Sequence, residues 1–512
     1  MANTSPKKET KRWADDDGSF SFDAPDFVPP TTNPVDSTNP VQQSTNTTPD
    51  MNDVQTKLGN LSVDTSSTTT TTNDAASSND AAPRKNVDRK VALDMESDAK
   101  RTVVVEQSDP NSPLFSADTF EDLKLRDELL KAVYAMSYQR PSKIQSTALP
   151  LILQTERKNL IAQAQSGTGK TATFSLGILS TIDESKQYPQ ALCILPTREL
   201  SRQVYEVICA LGRFLENVKI RMIIKGEKFN KAQPLKEQVI VGTPGTMLDL
   251  CTQRVLRLQR VRIFVLDEAD EMMRHGGASQ LSTQTKKLKA RCPKDTQILC
   301  FSATYPENVL KFATALVPQP VDKILLKTDQ VTVKQIQQLY IECTSERHKY
   351  QVLGQIYSFL SVGQSMIFVR TRKTAMSLHA EMSKAGYTVS VITGGQMHVK
   401  ERDRVFDEFR DGKTKVLICT NVLARGIDVA GVSLIINYDM PTDRDNKPDY
   451  ANYIHRVGRT GRFGREGIAI NLVHDKDSKS CLQAFQKKWG NLISKFEAEN
   501  IPKLEKMLKQ LK

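Results

Sequence analysis

From Phe115 onward the chain alternates short apolar, β-branched runs with stretches of helical periodicity. The runs are NLIAQA, ALCILPT, KIRMIIKG, QVIVGTP, RIFVLDEA and QILCFSAT in the first half, and QLYIEC, SMIFVRT, TVSVIT, KVLICT, LIINYDM and GIAINLV in the second. Continuous apolar strands separated by ~10–20 residues of helix mark parallel sheets covered on both faces. The pattern predicts an α/β protein with two doubly wound parallel-sheet domains in tandem, at 114–326 and 337–485. A linker over 327–336 joins them and a helical tail follows at 486–512. In such sheets ligands bind beyond the carboxyl ends of the strands. The polar residues just after each run are therefore the first candidates for chemistry.

Residues 1–113 have a different texture, rich in Thr, Ser, Asn, Asp and Pro and including TSSTTTTTND. Such a stretch cannot bury enough apolar surface to offset the entropy of ordering it, and a disordered extension is expected. Within it, VDRKVALDMESDAKRTVVVEQ (87–107) has enough aliphatic residues for a conditional helix. Charge divides along the same boundary. Residues 1–113 carry 11 Lys and Arg against 18 Asp and Glu, leaving 60 against 41 for the rest of a chain of net charge +12. A basic body with an acidic extension suggests a polyanionic partner for the body. The eight cysteines form no CxxC pair and several sit in apolar runs, so they read as reduced core residues rather than metal ligands. No run approaches the ~20 apolar residues of a membrane span, and MANTSPKKETKRW lacks an apolar signal core. A soluble, intracellular protein without membrane insertion is expected.

The first chemistry lies in AQSGTGKT, directly after NLIAQA. It fits G-x-x-x-x-G-K-[ST] except that Ala164 replaces the first glycine. Ala164, Gln165, Ser166, Gly167, Thr168 and Gly169 would turn backbone N–H groups around phosphate, Lys170 would reach the β- and γ-phosphates, and Thr171 would ligate Mg²⁺. Further on, RIFVLDEAD ends a strand in acids. Asp267 is placed to hold Mg²⁺ and Glu268 to orient and deprotonate the attacking water, which makes the site a nucleoside triphosphate hydrolase. Ahead of the loop, Tyr138 and Gln145 in YQRPSKIQ suit the stacking and hydrogen-bonding edge of adenine. The first domain offers no arginine in trans for the γ-phosphate, whereas HRVGRTGRFGR in the second has arginine at 456, 459, 462 and 465. Arg459 and Arg462 are the expected arginine fingers, effective only when the two domains close on one another.

The motifs AQAQSGTGKT, PTREL, TPGT, DEAD, SAT, ARGID and HRVGRTGR, in this order, resemble those of the DEAD-box RNA helicases over roughly residues 115–485. The resemblance implies two RecA-like domains, ATP and Mg²⁺ as cofactors, and RNA, single-stranded or a short duplex, gripped without sequence preference. It assigns adenine recognition to Gln145 and Tyr138, coupling of hydrolysis to closure to Ser302, Thr304 and Asp270, and ribose contact to Asp428. His455 and Arg456 would bridge the domains. RNA contacts would come from Pro196, Thr197, Arg198, Thr243, Gly245, Arg370, Arg402 and Thr420, groups that grip phosphates rather than read bases.

DPNSPLFS, YAMSYQRPSKIQ, ITGGQMHVKERDR and the long DMPTDRDNKPDYANYIHR are similar to the subfamily that remodels messenger ribonucleoprotein at the cytoplasmic face of the nuclear pore. That similarity implies a monomer in cytoplasm and nucleus, enriched at the pore. Its partners would be a nucleoporin β-propeller and an activator that uses inositol hexakisphosphate, with an inhibitory role for a helix in 87–107. Two places depart from the family pattern: a Gly-Gly doublet is reduced to Gly226, and Val399 stands where the QxxR element has its Gln. The expected function is an RNA-stimulated ATPase acting in messenger RNA export. An ATP-gated RNA clamp and a general translation-initiation helicase are the alternatives, and a small-molecule kinase would leave the second domain without a purpose.

Overall fold

A computed structural model of the chain describes residues 103–106, 117–165, 167–273, 280–326, 336–359, 363–395, 397–421, 429, 431–443, 445–461 and 466–510. All twelve apolar runs form strands. The first sheet contains β1 (Val103–Glu106), β2 (Asn159–Gln163), β3 (Ala191–Ile194), β4 (Ile220–Ile223), β5 (Val239–Gly242), β6 (Ile263–Leu266), β7 (Gln297–Ser302) and β8 (Val321–Leu326). Their order across the sheet is β1-β8-β2-β7-β6-β3-β5-β4, all parallel except β1. The second contains β9 (Ile336–Glu342), β10 (Gln364–Phe368), β11 (Val389–Ile392), β12 (Val416–Cys419), β13 (Val432–Asn437), β14 (Gly467–Val473) and β15 (Ile493–Lys495). It is wholly parallel, in the order β11-β12-β10-β13-β14-β9-β15.

The continuous apolar character of these strands follows from helices on both faces. Along β3 and the residue after it, Ala191, Cys193 and Leu195 enter one core with Phe174 and Phe301, while Leu192 and Ile194 enter the other with Met247, Leu288 and Phe312. The helix Arg198–Leu211 buries Leu200, Val204, Ile208 and Leu211, the spacing of one apolar stripe, and its first turn is capped by Thr197, whose hydroxyl accepts the Leu200 N–H at 3.3 Å. Its opposite face is left with Arg198, Arg202 and Glu206. In the second domain the helix Val399–Arg410 buries Phe406 and Phe409 and carries Arg402, Asp403, Asp407 and Arg410. The two charged faces meet, as described below.

Three differences from the sequence reading concern edges. Strand β1 lies inside the stretch expected to be disordered: Val103–Glu106 pairs antiparallel with β8, Val103 opposite Leu326, where a conditional helix was expected to end. A run of three valines is a strong strand former, and β8 has a free edge to offer. The remainder of 87–107 and of the extension lies outside the described residues, as does the linker up to residue 335; Ile336 already belongs to β9. The C-terminal tail is part of the second domain. Strand β15 adds to β9, and Ile501, Leu504 and Leu508 of the helix Ile501–Gln510 share a core with Val352, Leu353 and Ile356. No described helix is long and apolar enough to cross a membrane.

Candidate active site and domain seam

The loop between β2 and the helix Lys170–Thr181 is shaped by backbone that only glycine adopts freely. Gly167 has φ +82° and Gly169 has φ +93°. A Cβ on Gly169 would also stand 2.6 Å from Gln145 Nε2, so the loop and the preceding helix approach at van der Waals limits. Gln145 is buried and braces that approach. Its Oε1 accepts the Ser142 N–H at 2.8 Å and its Nε2 faces the Gly169 carbonyl at 3.4 Å, while Ser142 Oγ donates to the Thr168 carbonyl at 2.7 Å. The amide expected to read adenine thus supports the loop in this structure. Tyr138 is half-buried against the first core. Ser166 lies outside the described residues.

At the helix N-terminus Lys170 is buried, and its Nζ has no hydrogen-bond partner. This ammonium has donors to spare for an anion, and its charge acts on the nearby Asp267. Together with the inward-turned glycines, it makes a cradle whose charge suits a phosphate. Asp267, the first residue after β6, is buried nearby, and Glu268 follows in the left-handed region at φ +52°, its N–H donating to Asp267 Oδ1 at 2.9 Å. Burial, then the negative charge of Glu268, pushes the Asp267 carboxyl up to about 7, and the Lys170 charge opposes this. A divalent cation would relieve that strain, so Asp267 and Thr171 fit Mg²⁺.

From this cradle a chain of contacts runs to the second domain. The Ala164 N–H donates to the Ser302 carbonyl at 3.1 Å, and Gln163 Nε2 to the Ala303 carbonyl at 3.2 Å. Thr304 Oγ1 donates to Asp270 Oδ2 at 2.7 Å, and the Asp270 N–H points to Ser302 Oγ at 3.4 Å. His455 Nε2 meets the same Asp270 Oδ2 at 2.6 Å and stands 3.7 Å from Glu268 Oε2. Arg459, almost fully buried, donates through Nε to the His455 carbonyl at 2.8 Å. Loop, both acids, the SAT segment, His455 and Arg459 are therefore one connected assembly. Arg462 and Asp428 lie outside the described residues.

Arg456 also makes a set of contacts within the second domain that the sequence reading did not anticipate. Its guanidinium donates to Asn437 Oδ1 at 2.9 Å, to the Asp439 carbonyl at 2.8 Å and to Asn421 Oδ1 at 2.6 and 3.1 Å, and it lies 5.0 Å from the Phe368 ring centre. These partners all belong to the second domain, where Arg456 ties the ends of β10, β12 and β13 together. The three partners Asn421, Asn437 and Asp439 were not singled out from the sequence.

Of the residues expected on RNA, Pro196, Thr197, Thr243 and Gly245 follow the neighbouring strands β3 and β5, and Arg370 and Thr420 follow β10 and β12. Arg370 is exposed, its N–H donating to Asp439 Oδ2 at 2.7 Å. Arg198 and Arg402 are instead engaged across the domain seam. Arg198 grips Asp403 through two bonds of 3.0 and 2.5 Å and also reaches the Lys225 carbonyl; Arg402 grips the buried Glu199 at 2.5 and 2.8 Å. Beside them the two departures from the family pattern face one another. A Cβ on Gly226, at φ +99°, would lie 3.2 Å from Val399 Cγ1. The signal missed in the sequence is the acid spacing in ERDRVFDEFR, which matches the basic spacing in RELSRQ.

Residues 142–312 match the DEAD/DEAH box helicase family, and residues 348–464 match the helicase conserved C-terminal domain. The ATP-dependent RNA helicase DBP5 of Saccharomyces cerevisiae is 46% identical over 406 residues, covering 79% of this chain and 83% of that protein. The structure of S. cerevisiae Dbp5 bound to RNA and ADP BeF3 superposes with a TM-score of 0.73 at 46% identity, covering 77% of this chain and 99% of the other. A second yeast Dbp5 structure, bound to Nup159, Gle1, IP6 and ADP, gives a TM-score of 0.55 at 43% identity, covering 75% of this chain and 99% of that one. With two RecA-like domains, a phosphate cradle and this degree of identity, the chain belongs to the DEAD-box family of ATP-dependent RNA helicases.

Proposed function

We propose that this helicase couples ATP hydrolysis to the remodelling of messenger ribonucleoprotein during export, in cytoplasm and nucleus and enriched at the nuclear pore. The observation that carries the coupling is the His455–Asp270 contact, which ties the second domain to the DEAD segment beside the cradle. Lys170 binds the β- and γ-phosphates, and Gln145 and Tyr138 flank the adenine side. Mg²⁺, held by Thr171 and Asp267, neutralises phosphate charge when bound. Glu268 orients the attacking water and accepts its proton. Arg459 and Arg462 stabilise charge on the γ-phosphoryl group only when the domains close. Pro196, Thr197, Thr243, Gly245, Arg370 and Thr420 line the carboxyl ends of strands in both domains and hold RNA phosphates without reading bases, while Ser302, Thr304 and Asp270 relay closure.

The export role rests on the yeast complex with Nup159, Gle1 and IP6. A nucleoporin and an inositol-hexakisphosphate-dependent activator are accordingly the partners, and the protein acts as a monomer. The test compares two substitutions with wild type. Lys170→Ala should weaken ATP binding, whereas Glu268→Gln should keep binding and accumulate an RNA complex that does not turn over. Pull-down of wild type with pore components, with and without inositol hexakisphosphate, tests the partners. Wild-type turnover in Glu268→Gln would remove the assigned mechanism, and no capture of pore components would return the protein to a general helicase role.

A further inference from the structure

Beyond the motif residues, the seam between the domains carries a second set of ion pairs with a property of its own. On the first domain Arg198, Arg202 and Glu206 recur every four residues along one helix face; on the second, Asp403, Asp407 and Arg410 do so at intervals of four and three. Arg202 meets Asp407 at 3.1 and 3.3 Å and Asp403 at 3.5 Å. Arg410 meets Glu206 at 3.5 Å and Asp407 at 3.2 Å. The side chains of Arg202 and Asp407 are 22% and 32% exposed, so the pair is partly shielded from water and salt.

The order of signs favours one register. Sliding one helix by a turn sets Glu206 against Asp407 and leaves Arg202 against Asp403, and sliding it the other way sets Arg202 against Arg410 and leaves Arg198 against Asp407, so either slip trades three attractive pairs for one attractive and one repulsive pair. The Gly226–Val399 contact lies in the same seam, where a Cβ at 226 would sit 3.2 Å from Val399 Cγ1, so a side chain there would crowd Val399 and press the seam apart by a few tenths of an ångström.

We propose that Arg202, Asp407, Arg410 and Glu206 form a register lock that sets where the second domain docks on the first, and so delivers His455 and Arg459 to the phosphate cradle. These are positioning residues. The inference rests on domain closure being the active step of the proposed function. It also sets a sign that simple electrostatics would reverse: neutralising an acid near a polyanion tightens RNA binding, whereas weakening the lock loosens it.

The experiment is an ATPase titration with mixed-sequence single-stranded RNA on wild type, Asp407→Asn, Asp407→Glu, Arg202→Ala and the Arg202→Ala/Asp407→Asn double variant. Melting temperature and RNA-free binding of an ATP analogue are measured alongside. Asp407→Asn and Arg202→Ala should each raise the half-saturating RNA concentration about 5-fold, the scale of one partly shielded ion pair. Asp407→Glu should restore wild-type behaviour, the double variant should be no worse than the weaker single by more than about 2-fold, and analogue binding should not change. An unchanged or lower half-saturation in Asp407→Asn overturns the lock, as do multiplicative effects in the double variant or a parallel fall in melting temperature. Absence of RNA stimulation in wild type would instead remove the function on which the lock rests.

Discussion

Truncating His455 isolates the link between hydrolysis and closure. In His455→Ala the bond to Asp270 Oδ2 at 2.6 Å is lost, but Asp270 keeps the Thr304 hydroxyl at 2.7 Å, so the first domain retains its own network. The Arg459 guanidinium is held by the His455 main-chain carbonyl, which alanine preserves. The loss is therefore that of one buried hydrogen bond between the domains, which on the proposed mechanism forms on closure, about 1.5–3 kcal/mol. At 1.36 kcal/mol per decade this lowers the closed population roughly 10- to 150-fold, and the retained Thr304 bond places the effect toward the lower end. RNA-stimulated single-turnover ATPase should fall by at least about 10-fold at sub-saturating RNA. Binding of an ATP analogue without RNA should stay as in wild type. Turnover within 2-fold of wild type would show that this contact does not report closure, and a parallel loss of nucleotide affinity would show that His455 acts within the first domain.

Arg459→Ala should cut RNA-stimulated turnover at least ~10²-fold at nearly unchanged ATP affinity, with Arg462→Ala alike and Arg465→Ala mild. Arg456→Ala should instead lower the melting temperature of the second domain, because it strands the Asn421 acceptor and the buried Asn437 acceptor, a loss of about 2–4 kcal/mol read by calorimetry. In metal-free, nucleotide-free protein, the Asp267 carboxyl is raised from its unfolded value of 3.8 to about 7, so its stabilising contribution is present below pH 3.8 and lost as pH rises toward 7. Asp267→Asn should thus raise the melting temperature relative to wild type at pH 8, with the gain vanishing near pH 4; an equal shift at both values would refute the assignment.

The sheets were legible because burial on both faces writes each central strand as an uninterrupted apolar run. The strands that escaped are edge or interrupted ones. β8 carries Asp322 and Lys323 within its six residues, β15 has three residues, and β1 is embedded in acidic, polar sequence. At the site, the residues whose chemistry is local in the chain were visible: the glycines that need positive φ, Lys170, and the acids at the end of β6. Pairings between distant segments were not. That Arg198 and Arg402 spend their guanidinium groups on Asp403 and Glu199 follows from two helix faces more than 190 residues apart coming together, and each helix alone reads as an ordinary solvated charged surface. The contacts of Arg456 were hidden for the same reason, since Asn421 lies just beyond β12 while Asn437 ends β13 and Asp439 follows it.

The position of β2 also sets a timetable for synthesis. This strand, which leads into the phosphate loop, is hydrogen-bonded on one side to β7 and on the other to β8, with Leu160 opposite Leu299 and Asn159 opposite Val321. Both neighbours leave the ribosome roughly 140–160 residues after β2 itself, which at about 5–20 residues per second is a delay of roughly 7–32 s. For that interval the apolar NLIAQ strand has neither of its strand neighbours in the nascent chain, and only the preceding helix, through Ser142 and Gln145, is there to brace the glycine-rich turn. A ribosome stalled anywhere before Val321 would expose an unfinished sheet edge and a lysine with no fixed place to bind nucleotide, a substrate for chaperones rather than for ATP.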